Sequence, residues 1–196
     1  MHGVYSKGFM KESIALLITG ASGSIYALRT FEVLKERYDL HVVMSKTAKY
    51  VMGYETGVGE EFFKKEAHVY DYTDFAAPIS SGSFLCKFKG VLVVPCSMGT
   101  LGAVASGVAQ NLIHRVCDTA LKERVPLVML VREMPYNSIH LENMLKLTNA
   151  GAILMSASPG FYHKPKTLEE SIDFVVGKVL DTLRIDHNIY KRWKSS

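Results

Sequence analysis

The chain has 196 residues, 48% of them apolar and 21% charged, and a formal net charge of +4. That is enough to bury the core of one ordinary globular domain, and nothing in the length asks for two. The cationic excess is small and the 19 acidic residues are spread along the chain, so the footprint of a nucleic-acid binder is missing and a small anionic ligand suits the charge better.

Three cysteines, Cys86, Cys96 and Cys117, form no CxxC pair and leave an odd one over. This argues against a secreted disulfide framework and for a reducing compartment, the cytoplasm. No apolar run approaches the ~20 residues needed to cross a bilayer, so no membrane span is expected. The first dozen residues, though basic, lack the apolar core of a signal peptide. Residues 1–12 are expected to form a flexible tail, residues 13–185 a single domain, and residues 186–196 a basic C-terminal arm that carries the only tryptophan, Trp193.

Ser13 to Thr19 reads as a buried first strand, and Ile25 to Tyr38 as a helix with Tyr26, Leu28, Phe31 and Leu34 at helical spacing. A Gly-Ala-Ser-Gly-Ser turn joins the two. Leu40 to Met44 is a second strand that runs into Ser45-Lys46 and a short helix to about Tyr54. Residues 55–83 hold Gly57, Gly59, Pro78 and a Ser-Ser-Gly-Ser run, and break the rhythm; a connection that long in a compact domain is usually functional or mobile. Val91 to Val94 is a third strand, leading through Pro95-Cys96-Ser97 into one long small-residue helix, Leu101 to Lys122. Val125 to Val131 is a fourth strand, Ser138 to Asn149 a helix, Ala152 to Ser156 a fifth strand and Thr167 to Leu183 the last helix. Strands alternating with helices over the whole length specify a three-layer α/β sandwich around a parallel sheet.

In such a sheet ligands sit at the carboxyl ends of the strands, so the residues at strand exits are the candidates for chemistry. Thr19-Gly20-Ala21-Ser22-Gly23-Ser24 lies between a strand and a helix, where free N–H groups, the helix dipole and small residues favour a phosphate. Cys96-Ser97-Met98-Gly99-Thr100 is a second loop of that kind, and Ser45 adds a hydroxyl at a third exit. The fourth and fifth strands end at Arg132-Glu133 and at Pro-Gly-Phe-Tyr162-His-Lys-Pro, which puts charge and a phenol where a strand interior could not solvate them.

TGxSGS with a formal YxxxK match at Tyr162–Lys166 suggests a short-chain dehydrogenase, but Pro165 just before Lys166 is poorly compatible with the helical turn that pair needs. The acidic residue expected after the second strand is also missing. The seven histidines are scattered, with no HExxH and no cysteine at ligand spacing, so zinc is not expected. Cys96 and Cys117 sit in apolar runs that favour packing over nucleophilic roles. Arg115, Lys122 and Lys178 lie on predicted helices, where a solvated face is the default for cations.

Seven segments in order, Thr19–Gly23, Pro95–Leu101, Asn111–Arg115, Leu121–Arg124, Arg132–Pro135, Ser138–Met144 and Pro159–His163, closely resemble the UbiX/Pad family of flavin prenyltransferases. The likeness runs from about Ser13 to Trp193. It implies a flavodoxin-like or Rossmann-like sandwich that binds reduced FMN and, without a metal, prenylates it with dimethylallyl phosphate at N5 and then C6. The product, prenylated FMN, is the cofactor of UbiD-type decarboxylases. The family's FMN contacts match Gly20, Ala21, Ser22, Ser45, Ser97, Met98, Gly99, Thr100 and Arg132; its isoprenyl-phosphate residues match Arg115, Lys122, Glu133, Tyr162 and Lys178.

Ionising an allylic phosphate calls for cations and donors aimed at the developing charge. Glu133 is assigned as general acid near the leaving group, and Glu55 with Ser22 as the proton-handling pair near N5. Lys178 stands where many relatives carry Arg, and Phe75 where some carry Trp. Relatives form dodecamers with sites at subunit interfaces, so a homo-dodecamer is expected. Two other readings are a cysteine-decarboxylase-like flavoprotein, disfavoured because the 95–101 loop has no Asn, and a non-catalytic FMN carrier, which would not need Glu133, Tyr162 and Lys178.

Overall fold

The computed structural model describes residues 11–193; most of the expected N-terminal tail and the last three residues of the C-terminal arm lie outside them. Six strands, β1 (Ser13–Ile18), β2 (Asp39–Met44), β3 (His68–Tyr70), β4 (Gly90–Cys96), β5 (Leu127–Val131) and β6 (Ile153–Ser156), form one parallel sheet in the order β3-β2-β1-β4-β5-β6. The helices are α1 (Ser24–Leu34), α2 (Lys46–Thr56), α3 (Glu61–Lys64), α4 (Gly82–Leu85), α5 (Met98–Ala105), α6 (Leu112–Glu123), α7 (Ser138–Asn149) and α8 (Leu168–Thr182).

Successive strand residues point to opposite faces, and β1 is apolar on both. Ile14, Leu16 and Ile18 pack with Ala27, Phe31 and Leu34 of α1 and Val176, Val179 and Leu180 of α8 on one face. Ala15 and Leu17 pack with Leu101 of α5 and with Leu112, Val116 and Ala120 of α6 on the other. The three-layer α/β sandwich inferred from the alternation is therefore the fold, and its strand order reverses between β1 and β4. That switch point is where such sheets place ligands. Among the described residues no helix is long and apolar enough to cross a membrane.

Two expectations need correction. The helix read from Leu101 to Lys122 is two helices, because Gly107 turns left-handed (φ 69°) and Asn111 caps a new start by accepting from the His114 N–H at 3.0 Å. The segment 55–83 is not simply irregular: it carries α3, a 3₁₀ turn at Pro78–Ser80, α4 and the edge strand β3. Residues 190 and 192 of the expected C-terminal arm are also tied to the domain. Tyr190 donates to Asp181 at 2.7 Å, and Arg192 holds the same carboxylate at 2.8 and 3.1 Å.

Candidate active site

The exits of β1, β4 and β5 are tied together by their own backbone and one buried hydroxyl. Thr19 Oγ1, 1% exposed, donates to the Pro95 carbonyl at 2.8 Å and accepts from the Ser97 N–H at 2.7 Å. The Arg132 N–H reaches the Cys96 carbonyl at 3.4 Å, and its Nε donates to the Ser22 carbonyl at 3.2 Å. Among the described residues the two terminal guanidinium nitrogens of Arg132 make no hydrogen bond or ion pair, so that fork remains available to a ligand.

Each exit loop then starts a helix. Ser45 caps α2 by accepting from the Ala48 N–H at 3.0 Å, and Ser97 caps α5 by accepting from Thr100 N–H at 3.4 Å. The other N–H groups of the first turn of α5, those of Met98 and Gly99, have no intrahelical partner and carry the positive end of the helix dipole. A Cβ added at Gly99 would meet nothing within 4 Å, so no packing within the chain demands a glycine there. Gly20 differs: a Cβ would lie 2.5 Å from the Thr47 side chain, so the β1 exit passes against α2 only as glycine.

The start of α1 takes up part of the donor set expected of the phosphate loop at residues 19–24. Its N–H groups already hold an anion, the Glu55 carboxylate, which accepts from Ser24 N–H at 2.8 Å and from Gly23 N–H at 3.0 Å. Burial alone would raise the Glu55 carboxyl, but the Ser22 hydroxyl and these backbone donors outweigh it and hold its pKa below the ordinary range. Both loops therefore keep open donors among the described residues: Gly20, Ala21 and Ser22 N–H in the first, Met98 and Gly99 N–H in the second.

Glu133 lines a cavity of about 340 Å³ with Arg132, Tyr136, Ser156 and Ser158. Ser156 and Ser158 also line an adjoining cavity of about 240 Å³ with Phe174 and Lys178. The β6 exit thus connects the Glu133 side to the Lys178 side. Tyr162 stands beside that wall, edge-on to Phe174 at 5.6 Å and to Trp193 at 5.2 Å. Lys178 Nζ lies 3.6 Å from Asp181, whose carboxylate is already held by Arg192, Tyr190 and His187. Burial would raise that carboxyl, and these three donors override it and bring it down to about 2.

Arg115 and Lys122 fall elsewhere. Both lie on α6, Arg115 paired with Asp118 at 3.0 Å and Lys122 with Glu123. Among the described residues no hydrogen bond or ion pair links either to Glu133, Tyr162 or Lys178. Thr19, Ser156 and Ser158 were missed as site residues; Ser156 and Ser158 carried a signal in their place at a strand exit. Cys96 and Cys117 are buried, and burial pushes the Cys96 thiol up to about 12, which suits packing and not nucleophilic attack.

The model of a family described as Flavoprotein matches residues 4–193. A flavin prenyltransferase UbiX of Aquifex aeolicus is 53% identical over 187 residues, covering 93% of this chain and 99% of the relative. The chain belongs to the UbiX flavin prenyltransferase family. Two solved structures share its fold closely. AnUbiX, in complex with FMN and dimethylallyl pyrophosphate, is 40% identical with a TM-score of 0.91, covering 95% of this chain and 99% of that one. A dodecameric FMN-dependent UbiX-like decarboxylase from Escherichia coli O157:H7 is 37% identical with a TM-score of 0.89, covering 93% and 100%. The UbiX relatives therefore span the whole sheet and every strand exit described above.

Proposed function

We propose that this chain joins the dimethylallyl group of dimethylallyl phosphate to N5 and C6 of reduced FMN, yielding prenylated FMN for a UbiD-type decarboxylase. The observation that carries the reading is the pair of adjoining cavities at the exits of β5 and β6, one lined by Arg132 and Glu133 and the other by Lys178, which share Ser156 and Ser158. Family membership and the FMN complex of AnUbiX support it.

The chain's residues fit an FMN. The open N–H groups of Met98 and Gly99, the Ser45 and Ser97 hydroxyls and the free fork of Arg132 form a donor set suited to a phosphate and a flavin edge, and the empty space beside Gly99 gives room. Gly20, Ala21, Ser22 and Thr100 complete the contacts. When bound, reduced FMN supplies the nucleophilic N5 and C6.

Lys178 and Tyr162 hold the isoprenyl phosphate and stabilise the negative charge it gains as the allylic C–O bond breaks. Glu133 donates a proton to the departing phosphate. The Ser22 hydroxyl, bonded to the ionised Glu55, accepts the proton released as the ring closes on C6 while passing its own to the Glu55 carboxylate, the final acceptor. Arg115 and Lys122 are supplied by a neighbouring copy in a homo-dodecamer; the lack of any hydrogen bond or ion pair from either to Glu133 among the described residues, and the dodecameric E. coli relative, support this. A particle twelve times the 21.8 kDa chain is expected on ultracentrifugation.

The direct test is anaerobic incubation with reduced FMN and dimethylallyl phosphate, followed by mass spectrometry of the flavin. A flavin heavier by one isoprenyl unit is expected. Bound FMN that is never alkylated by the monophosphate or the pyrophosphate would replace this reading with that of a carrier.

A further inference from the structure

At the opposite edge of the sheet, where strands begin, three side chains converge that the prenylation site does not use. Asp39 opens β2, His41 follows two residues later on the same face, and parallel register sets His68 of β3 beside His41. The Nε2 atoms of His41 and His68 lie 3.3 and 3.2 Å from the Asp39 carboxylate oxygens. One ligand atom from each residue can be chosen so that all three lie within 4.8 Å of one another.

Two observations separate this group from an ordinary charged surface cluster. His41 is 3% exposed, and its Nε2 is a buried nitrogen with no hydrogen-bond partner, because the approach to Asp39 lacks hydrogen-bond alignment. Its other nitrogen, Nδ1, lies 2.8 Å from the Tyr70 hydroxyl. In the tautomer whose Nδ1–H donates to the Tyr70 hydroxyl, Nε2 presents a lone pair towards Asp39 and His68, the arrangement of a metal-bound imidazole with its outer partner. The ring is also clamped, stacked on His68 at 4.8 Å and packed by Phe88 at 4.7 Å and Phe84 at 5.6 Å.

We propose that Asp39, His41 and His68 form a binding site for a divalent transition metal of the zinc class, separate from the prenylation site. Two imidazole nitrogens and a carboxylate suit zinc, and are a poor set for magnesium. In a tetrahedron with bonds of about 2.0–2.1 Å, ligand atoms sit roughly 3.3 Å apart, as these nitrogens do from the carboxylate. His68, with 59% of its side chain exposed, turns to close the triangle, and solvent supplies the fourth ligand. The site stands roughly 15–20 Å from the strand exits, the length of β2. The bound ion would pin the three-residue edge strand β3 to β2.

The test is calorimetric titration of the EDTA-stripped, buffer-exchanged full-length protein with zinc chloride and, separately, magnesium chloride. One zinc per chain is expected, with no comparable magnesium heat. The exposed-site variant His68→Ala and the near-isosteric Asp39→Asn should each weaken zinc about tenfold or more, while both keep the wild-type circular dichroism. No zinc binding in the wild type, or wild-type affinity in both variants, would overturn the proposal. Neither readout depends on prenylation, so the two assignments fail separately.

Discussion

Glu55 carries its carboxylate onto the Ser24 N–H at 2.8 Å, thirty-one residues back along the chain, and so caps α1 from the end of α2. The cap and the proposed proton acceptor are one group. Glu55→Gln keeps the shape and removes the charge. It is expected to slow single-turnover prenylation about a hundredfold or more while FMN titration changes little. An unchanged rate would remove Glu55 from the chemistry. Because its carboxyl is held below the ordinary range, the wild-type activity should persist below pH 4.5, the ordinary value, and fall only as pH drops through the lowered one.

Lys178 shares Asp181 with three better-placed partners, so its ammonium can turn to a phosphate at little cost. Lys178→Ala should weaken dimethylallyl phosphate by about ten- to a hundredfold, the worth of one charged hydrogen bond, and leave FMN affinity unchanged. Lys178→Arg should restore binding through a bidentate fork. Calorimetry with each ligand separates the two sites; parallel loss of both would mean the helix had moved.

Asp181 makes a pH prediction with a definite sign. Its folded pKa of about 2 lies below the ordinary 3.8, so its contribution is present above that ordinary value and disappears as pH falls from 3.8 through 2. The shift corresponds to about 2 kcal/mol. Urea unfolding of wild type and Asp181→Asn should differ by about that much at pH 7 and converge near pH 2. A difference independent of pH would show that the variant lost packing instead.

Gly99 and Gly20 should respond in opposite ways to the same substitution. Gly99→Ala adds a methyl in open space on a helix, so stability should rise by a few tenths to about 1 kcal/mol while FMN binding weakens. Gly20→Ala drives a Cβ into Thr47 and should destabilise by about 1–3 kcal/mol. Thermal melts with and without FMN distinguish the two effects.

Elements written in local pattern were legible in the sequence. The helix read as Ser138–Asn149 has those bounds in the structure, and the strand exits held their serines and charges. What could not be read depends on distant partners. β3 is three residues long and exists only through its register with β2. The break at Gly107 is hidden in a run of small residues that also suits a helix. The anion at α1 came from a residue 31 positions away, and the Asp39–His41–His68 convergence needs a pairing that no spacing rule encodes.

The Thr19 hydroxyl bridges the exits of β1 and β4 from a buried position. Widening the gap between them would strand a carbonyl and an N–H away from water, a cost of about 1–3 kcal/mol for each. A flavin therefore meets an edge finished during folding. Its affinity reports contacts made and not loops ordered, and binding at this edge should proceed without a slow conformational phase.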